Sequence, residues 1–370
     1  MARVYNENLF KALEGEFDTD ARIAQLQALK EIIDEAGPGL LSPDEVNGLG
    51  GKVIEYVGKS LERIQENKEF EKKDVEDEDD ALDEEDLHLL ASENQDEYNL
   101  QTGCAEIIGT LFKHYKESVA NLVNECKTKL IPESFASNVA KRYRFAIFIL
   151  DDMIEHLGPS YFSPEDWFTI VSTICQYCDH RSAAIRQAAA YGIGVVAQNS
   201  GDAFATHGEL CLGSLKKTIE MPITEKVQAR KEKMTEYNHA RDNAIASLGK
   251  TIRYQQNYLQ ANQEMGSQLV AYWIGLLPIT HDIEEAQAQY EFLCDFILGQ
   301  PAMIFSGDSN STAVQLAKIF GESFQDKYFA KDSEQKAKQA QAIKFLLTSA
   351  PAPIPDAFKD ACQNQLATEA

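Results

Sequence analysis

Four stretches of this chain carry residue types that could do chemistry. Cys175-x-x-Cys178 with His180 two residues on has the spacing of half a zinc site or of a dithiol redox centre. No second cysteine pair completes four ligands and no strand-helix-strand context surrounds it, so these read as buried helix cysteines. Gly192-x-Gly194-x-x-Ala197 formally matches a dinucleotide-binding fingerprint, yet it lies inside a helical pattern with no strand before it and reads as helix packing. Gly50-Gly51-Lys52 is not a phosphate loop, because Val46 stands where the first glycine is needed and Val53 where a hydroxyl is needed. The 7 histidines are scattered singly, with neither metal spacing nor a nucleophile elbow. The chain reads as a binding protein that is no enzyme and uses no metal or cofactor.

The fourth feature is charge beside aromatic rings. On a helix expected over 138–157, turning Ala146, Leu150, Met153 and Leu157 inward leaves Phe148, Asp151, Asp152 and Glu155 on the opposite side. A helix expected over 282–298 repeats this, with Ala286, Tyr290, Leu293 and Ile297 inward and Glu284, Glu291, Phe292 and Asp295 outward. Carboxylates beside an aromatic ring can hold lysine or arginine by charge and cation-π contact. The plainer reading is a solvated helix face. From Asp74 to Asp86 there are ten acids and no bases, among them Asp77, Glu78, Asp79 and Asp80. Such a run can attract or compete for a basic partner at long range, or serve as a solubilising insertion.

These residues need elements to position them. The helix expected over 181–200 puts Ile185, Ala188, Ala189, Gly192, Val195 and Val196 on one stripe. Glycine inside a helix costs roughly 1 kcal/mol relative to alanine, so a second helix must pack within a side chain's thickness. Ile108-Gly109, Ile193-Gly194 and Leu248-Gly249 occupy the same point of three such stripes, the first two 85 residues apart. A second repeat joins Gly37-Pro38 through Ser42-Pro43-Asp44-Glu45 to Gly158-Pro159 through Ser163-Pro164-Glu165-Asp166, 121 residues on. Each copy ends one helix with Gly-Pro and opens the next with a serine cap, a proline and acids.

A period near forty with two helices per unit predicts an all-α HEAT-repeat solenoid, a right-handed superhelix of about six or seven antiparallel helix pairs. Residues 1–350 read as one continuous array that starts with a helix over 5–15. It is interrupted by an acidic, solvated insertion at about 71–95 and followed by a tail over 351–370, where Pro351, Pro353 and Pro355 forbid helix. Trp167 and Trp273 read as core.

Composition bounds the partners. The 59 acidic against 35 basic residues give a net charge of −24, which opposes nucleic acid and favours basic proteins. Seven cysteines in 370 residues are no disulfide framework and point to a reducing compartment. No stretch offers the ~20 apolar residues of a membrane span and no signal peptide is apparent, so no membrane partner is expected.

Phe148-Ile-Leu-Asp-Asp-Met-Ile-Glu-His-Leu-Gly-Pro159, Arg186-Gln-Ala-Ala-Ala-Tyr-Gly-Ile-Gly-Val-Val-Ala-Gln198 and Leu293-Cys-Asp295 resemble the importin-beta (karyopherin-beta) family, in its importin beta-3 branch. The order of features agrees over nearly the whole chain, from the helix before the acidic insertion to Tyr115-Lys-Glu-Ser-Val after it. The resemblance implies a HEAT superhelix that carries basic protein cargo through nuclear pores, in cytoplasm and nucleus, under control of Ran-GTP. It implies that Asp179 and Arg186 belong to a ladder tying successive repeats, and that clefts between first helices admit Phe-Gly segments of nucleoporins. Family members are much longer and this chain resembles their C-terminal portion, so Ran-GTP is expected as a partner only where the N-terminal repeats exist. The alternative is a short HEAT scaffold that holds an assembly together without transport.

Overall fold

The structure, a computed structural model, describes residues 16, 18–76, 84–323, 333–354, 356, 359, 360, 362 and 363. Among these residues every regular element is a helix, and the chain divides into two compact units after Tyr161.

In the first unit α1 (Thr19–Ala36), α2 (Pro43–Glu76) and α3 (Glu84–His114) are followed by α4 (Ala120–Glu125), a π turn over Cys126–Leu130, α5 (Ile131–Ala136) and α6 (Ala140–Asp152). A second π turn, Met153–Leu157, extends α6. Helix α3 packs against both α1 and α2, and α6 packs against α3 and α5. The helix starts are chemically marked. Asp18 accepts from the Ala21 N–H at 2.9 Å, and Glu45 accepts from the Ser42 N–H at 2.7 Å while the Ser42 hydroxyl accepts from the Glu45 N–H at 3.4 Å, a reciprocal capping box. The ends are marked too: Gly37 and Gly158 sit at φ of 71° and 72°, where a side chain would be strained.

The insertion expected over 71–95 is helical at both ends, with α2 reaching Glu76 and α3 starting at Glu84. The two helices still meet far out along their length, where the Asn67 amide donates to the Asn94 side chain at 3.2 Å. Antiparallel pairing thus carries helix into a segment that composition alone marks as solvated. Asp77, Glu78, Asp79 and Asp80, and the helix expected over 5–15, lie outside the described residues.

In the second unit α7 (Pro164–Tyr177) and α8 (Ala183–Asn199) form a pair. After a 3-10 segment, Gly201–Thr206, come α9 (Gly208–Ile219), the short α10 (Glu225–Gln228) and α11 (Lys231–Tyr254). Then follow α12 (Gln256–Ala261), α13 (Gln263–Leu276), α14 (Ile283–Gly299), α15 (Pro301–Ile304), α16 (Ser309–Ser323) and α17 (Ser333–Thr348). The second helices stack in sequence, α8 on α11, α11 on α14 and α14 on α17. The expected α8 stripe is buried in full, and Trp167 and Trp273 are core. Of the described residues after α17, Ala352, Ile354 and Cys362 are buried, and the Cys362 thiol lies 3.9 Å from the Ala317 carbonyl on α16.

The three repeated glycines explain the stacking. A Cβ on Gly194 would stand 2.6 Å from Ser247 Oγ and 2.9 Å from Lys250 Cδ on α11. One on Gly249 would meet Gln289 Oε1 at 1.8 Å and Trp273 Nε1 at 2.9 Å, and one on Gly109 would meet Asp152 Oδ2 at 2.3 Å. Ser247 is pinned by its bond to the Ala190 carbonyl, 2.7 Å, so Gly194→Ala forces α8 and α11 apart. The variant should lose about 1–2 kcal/mol, overpacking outweighing the gain in helix propensity. Gly213→Ala on α9, where nothing stands within 4 Å, should gain up to about 1 kcal/mol. Urea unfolding of both variants checks the pair, and a Gly194→Ala protein as stable as Gly213→Ala contradicts the packing account.

Candidate functional site

The acidic faces expected from helical periodicity are only partly open. On α6, Glu155 is exposed and Asp152 half-buried, but Asp151 is 4% exposed and neither of its carboxylate oxygens has a partner among the described residues. Phe148 does not stand with the acids, because the Arg144 guanidinium lies over its ring at 4.9 Å. Two physical reasons separate these residues. Helix α6 is buried over most of its circumference, from Arg142 and Phe145 round to Ile149 and Asp151. The π turn, closed by the Gly158 N–H to Met153 carbonyl bond at 3.3 Å, then shifts the helical register between Phe148 and Glu155.

Asp152 lies over Gly109, and that closeness sets its chemistry. Burial, then the charges of Glu155 and Glu106, push its carboxyl up to about 7 against the pull of Lys30. Asp151 is raised in the same direction, again by burial first and by its acidic neighbours second.

On α14 the expected face also divides. Phe292 is 5% exposed, held between Trp273 at 5.5 Å and Phe296 at 5.3 Å. Glu284 and Asp295 are exposed and Glu291 half-buried. Two of these acids are answered by the next second helix, since Lys338 on α17 pairs with Asp295 at 3.2 Å and Gln335 donates to Glu291 at 3.1 Å. Periodicity gives the direction of a side chain and is silent about the neighbouring helix that meets it. The α6 and α14 faces belong to different units and stand as separate surfaces.

The expected ladder residues do not pair with each other among the described contacts. Arg186 is buried and its Nη1 donates to the His180 carbonyl at 2.8 Å and the Arg181 carbonyl at 3.3 Å, while Asp179 lies 4.0 Å from Lys217. The tie between repeats is instead made by residues that the sequence reading missed. Asp242 Oδ2 accepts from the N–H groups of Thr280, His281 and Asp282 at 3.1, 2.7 and 3.2 Å, and Asn243 donates to Asp282 at 2.7 Å. A signal existed: aligning Gly249 with Gly194 sets Arg241 beside Arg186, which places Asp242 and Asn243 at the same turn.

Cys175 and Cys178 are buried. Cys175 meets Cys211 of α9 sulfur to sulfur at 3.9 Å, and the Cys178 carbonyl accepts from Thr218 at 2.7 Å. No group of three metal-ligating side chains occurs among the described residues.

The second unit contains an acidic and aromatic cavity that the sequence reading also missed. It encloses about 560 Å³ between the 3-10 segment, α9 and α12, lined by Asp202, Glu209, Tyr254 and Tyr258 with the amides of Gln255 and Asn262. Tyr258 is set by packing: Phe204 meets its ring edge-on at 5.3 Å, and a Cβ on Gly208 would stand 2.4 Å from its Cζ. Burial and then the Glu209 charge raise its hydroxyl. Asp202 and Glu209 make no ion pair among the described residues and are exposed. A second cavity of about 530 Å³ opens between the first helices α9 and α13, where Leu212, Leu248, Met265, Leu269 and Tyr272 form its wall. No helix among the described residues is long and apolar enough to cross a membrane.

Stacked antiparallel helix pairs whose second helices touch through glycines define a HEAT-repeat α-solenoid, and comparison with known proteins agrees. The profile of the family described as Importin repeat 6 matches residues 22–127. Importin subunit beta-3 of Saccharomyces cerevisiae is 27% identical over 281 residues, 75% of this chain and 23% of that protein. The crystal structure of Kap121p superimposes with a TM-score of 0.66 at 18% identity, over 98% of this chain and 29% of that one. Kap121p bound to Nup53p gives 0.65 at 18% identity, over 98% and 29%. The chain is similar to importin-beta proteins in sequence and fold and spans under a third of the length of these relatives.

The Asp152 carboxyl makes a pH prediction. Held near 7 when folded and near 3.9 when unfolded, it keeps a proton between those values that the unfolded chain gives up. Its contribution therefore falls as pH rises from about 4 to about 7 and is level above that. The side chain is 28% exposed, which trims the effect to about 2 kcal/mol. Asp152→Asn should match the wild type near about pH 4 and exceed it by that amount near about pH 7 in urea unfolding. Equal stabilities at both pH values contradict the assignment.

Proposed function

We propose that this chain is part of a nuclear transport receptor that binds basic protein cargo and passes between cytoplasm and nucleus, with no enzymatic step. The observation that carries the reading is the cavity of Asp202, Glu209, Tyr254 and Tyr258. It joins unpaired carboxylates to aromatic rings within reach of one lysine or arginine side chain, the combination that favours an alkyl ammonium or guanidinium. Glu284 on α14 and Glu155 on α6, both exposed, add to the field that draws a basic segment in. Kap121p has been crystallised with Ulp1p and with Ste12p, proteins bound by that neighbour, and the likeness of this chain to it supports a like role here.

The apolar cleft between α9 and α13 is assigned to a phenylalanine of a Phe-Gly segment, and Kap121p has been crystallised with Nup53p. No Ran-GTP contact is assigned to these residues, although Kap121p binds RanGTP.

A labelled lysine-rich peptide titrated against the intact chain tests the cargo reading. Reversing Asp202 and Glu209 to lysine should weaken binding at least about tenfold, and added salt should weaken the wild type. Unchanged affinity in the reversed variant refutes the site. Leu212→Asp should separately abolish binding of a Phe-Gly peptide while the lysine-rich peptide still binds.

A further inference from the structure

The first unit holds a cavity of the opposite character. It measures about 300 Å³ between α3 and α6, and Tyr98, Lys141, Arg144, Phe145 and Phe148 wall it. We propose that this cavity receives the anionic side chain of a partner peptide, gripped by Lys141 and Arg144 against the rings of Tyr98 and Phe148.

Two cations on this wall have no carboxylate partner among the described residues. Lys141 Nζ lies 4.4 Å from the Tyr98 ring centre and donates to the Gln95 amide oxygen. Arg144 lies over Phe148 at 4.9 Å. Neither forms an ion pair among the described residues, in a chain with a net charge of −24 where carboxylates are abundant. Partial burial lowers the Lys141 ammonium, the direction expected of a cation losing water without gaining an anion.

A third cation stands behind the wall. Arg142 is 2% exposed and its Nη1 donates to Gln101 at 3.2 Å, a residue that also lines the cavity. Its Nε and Nη2 have no partner among the described residues. Removing a guanidinium from water is costly, and burial drives it down to about 10 against the pull of Glu133. An anion in the cavity would offset that cost.

Helix geometry adds an independent reason. Lys141, Arg142 and Arg144 occupy the first turns of α6, whose cap residue Val139 offers no side-chain bond. A helix N-terminus is the positive end of the backbone dipole and repels cations. Three there favour an anion beside them. The volume fits one side chain rather than a folded surface. The guanidinium fork matches a carboxylate or a phosphomonoester equally, while the overall negative charge opposes a nucleic acid polyanion.

Fluorescence anisotropy of the intact chain tests this with three labelled peptides: Ser-Glu-Glu-Phe-Glu-Glu-Ser, the same peptide with phosphoserine for the central glutamates, and the same with glutamine. At least one anionic peptide should bind at least about tenfold more tightly than the glutamine peptide, and the tighter of the two identifies carboxylate or phosphate as the source. The exposed pair Lys141→Glu and Arg144→Glu, changed together, should remove that preference, with Lys141→Gln and Arg144→Gln as the milder pair should the reversal unfold the protein. Three results would overturn the proposal: equal binding of the glutamine peptide, undiminished binding in a folded double variant, or a preference for an oligothymidylate over both anionic peptides.

Discussion

The arrangement depends on how closely one second helix lies on the next. Gly109, Gly194 and Gly249 each leave room for a polar side chain of the following second helix, from Asp152, from Ser247 and Lys250, and from Gln289. The approach lets Ser247 reach the Ala190 carbonyl at 2.7 Å and brings Lys250 to Glu285 at 2.6 Å with both side chains largely buried. A larger residue at any of the three would separate the helices and leave these groups dry and unpaired, the costly state for a buried polar group. The same closeness gives Asp152 its unusual proton affinity, so packing and electrostatics have one cause there.

Ties between repeats follow two patterns. In the second unit one carboxylate, Asp242, collects three backbone N–H donors at the start of the next second helix. It stabilises that turn by satisfying donors a helix start leaves open. In the first unit the tie is a buried chain of side chains, in which Arg63 grips Glu97 at 2.7 Å and Gln101 joins Ser60 at 2.8 Å to Arg142 at 3.2 Å. That chain ends on a guanidinium with unpaired nitrogens. Unpaired Asp151 sits on the same helix, nine positions further along, too far to answer it.

The fold was legible because its signals are local. Gly-Pro turns, serine caps and an alanine-glycine stripe are written within a few residues of where they act. The helix pairs over 164–199 and 263–299 follow from them within a residue or two. The site was less legible, because its signals are not local. Phe148 and Phe292 lie at the right phase of their helices, yet Arg144 takes the first and Trp273 covers the second. Asp202, Glu209, Tyr254 and Tyr258 come from four elements over more than fifty residues, and no periodicity links them. Asp151 is a harder case, since its inward turn contradicts its polarity and only the packed neighbours of α6 show it.

Sign sets the two charged cavities apart. In a chain with 59 acidic and 35 basic residues, unpaired carboxylates such as Asp202 and Glu209 are expected from number alone, and an aromatic cavity around them is what makes them specific. Unpaired cations are the reverse case. Lys113, Arg63, Lys250 and Lys338 each find a carboxylate within 3.2 Å, as abundance predicts. Lys141, Arg142 and Arg144 do not, though every added acid in the chain raised their chance of meeting one. Three cations gathered at the end of a helix whose dipole disfavours them carry a repulsive cost that an anion beside them would offset.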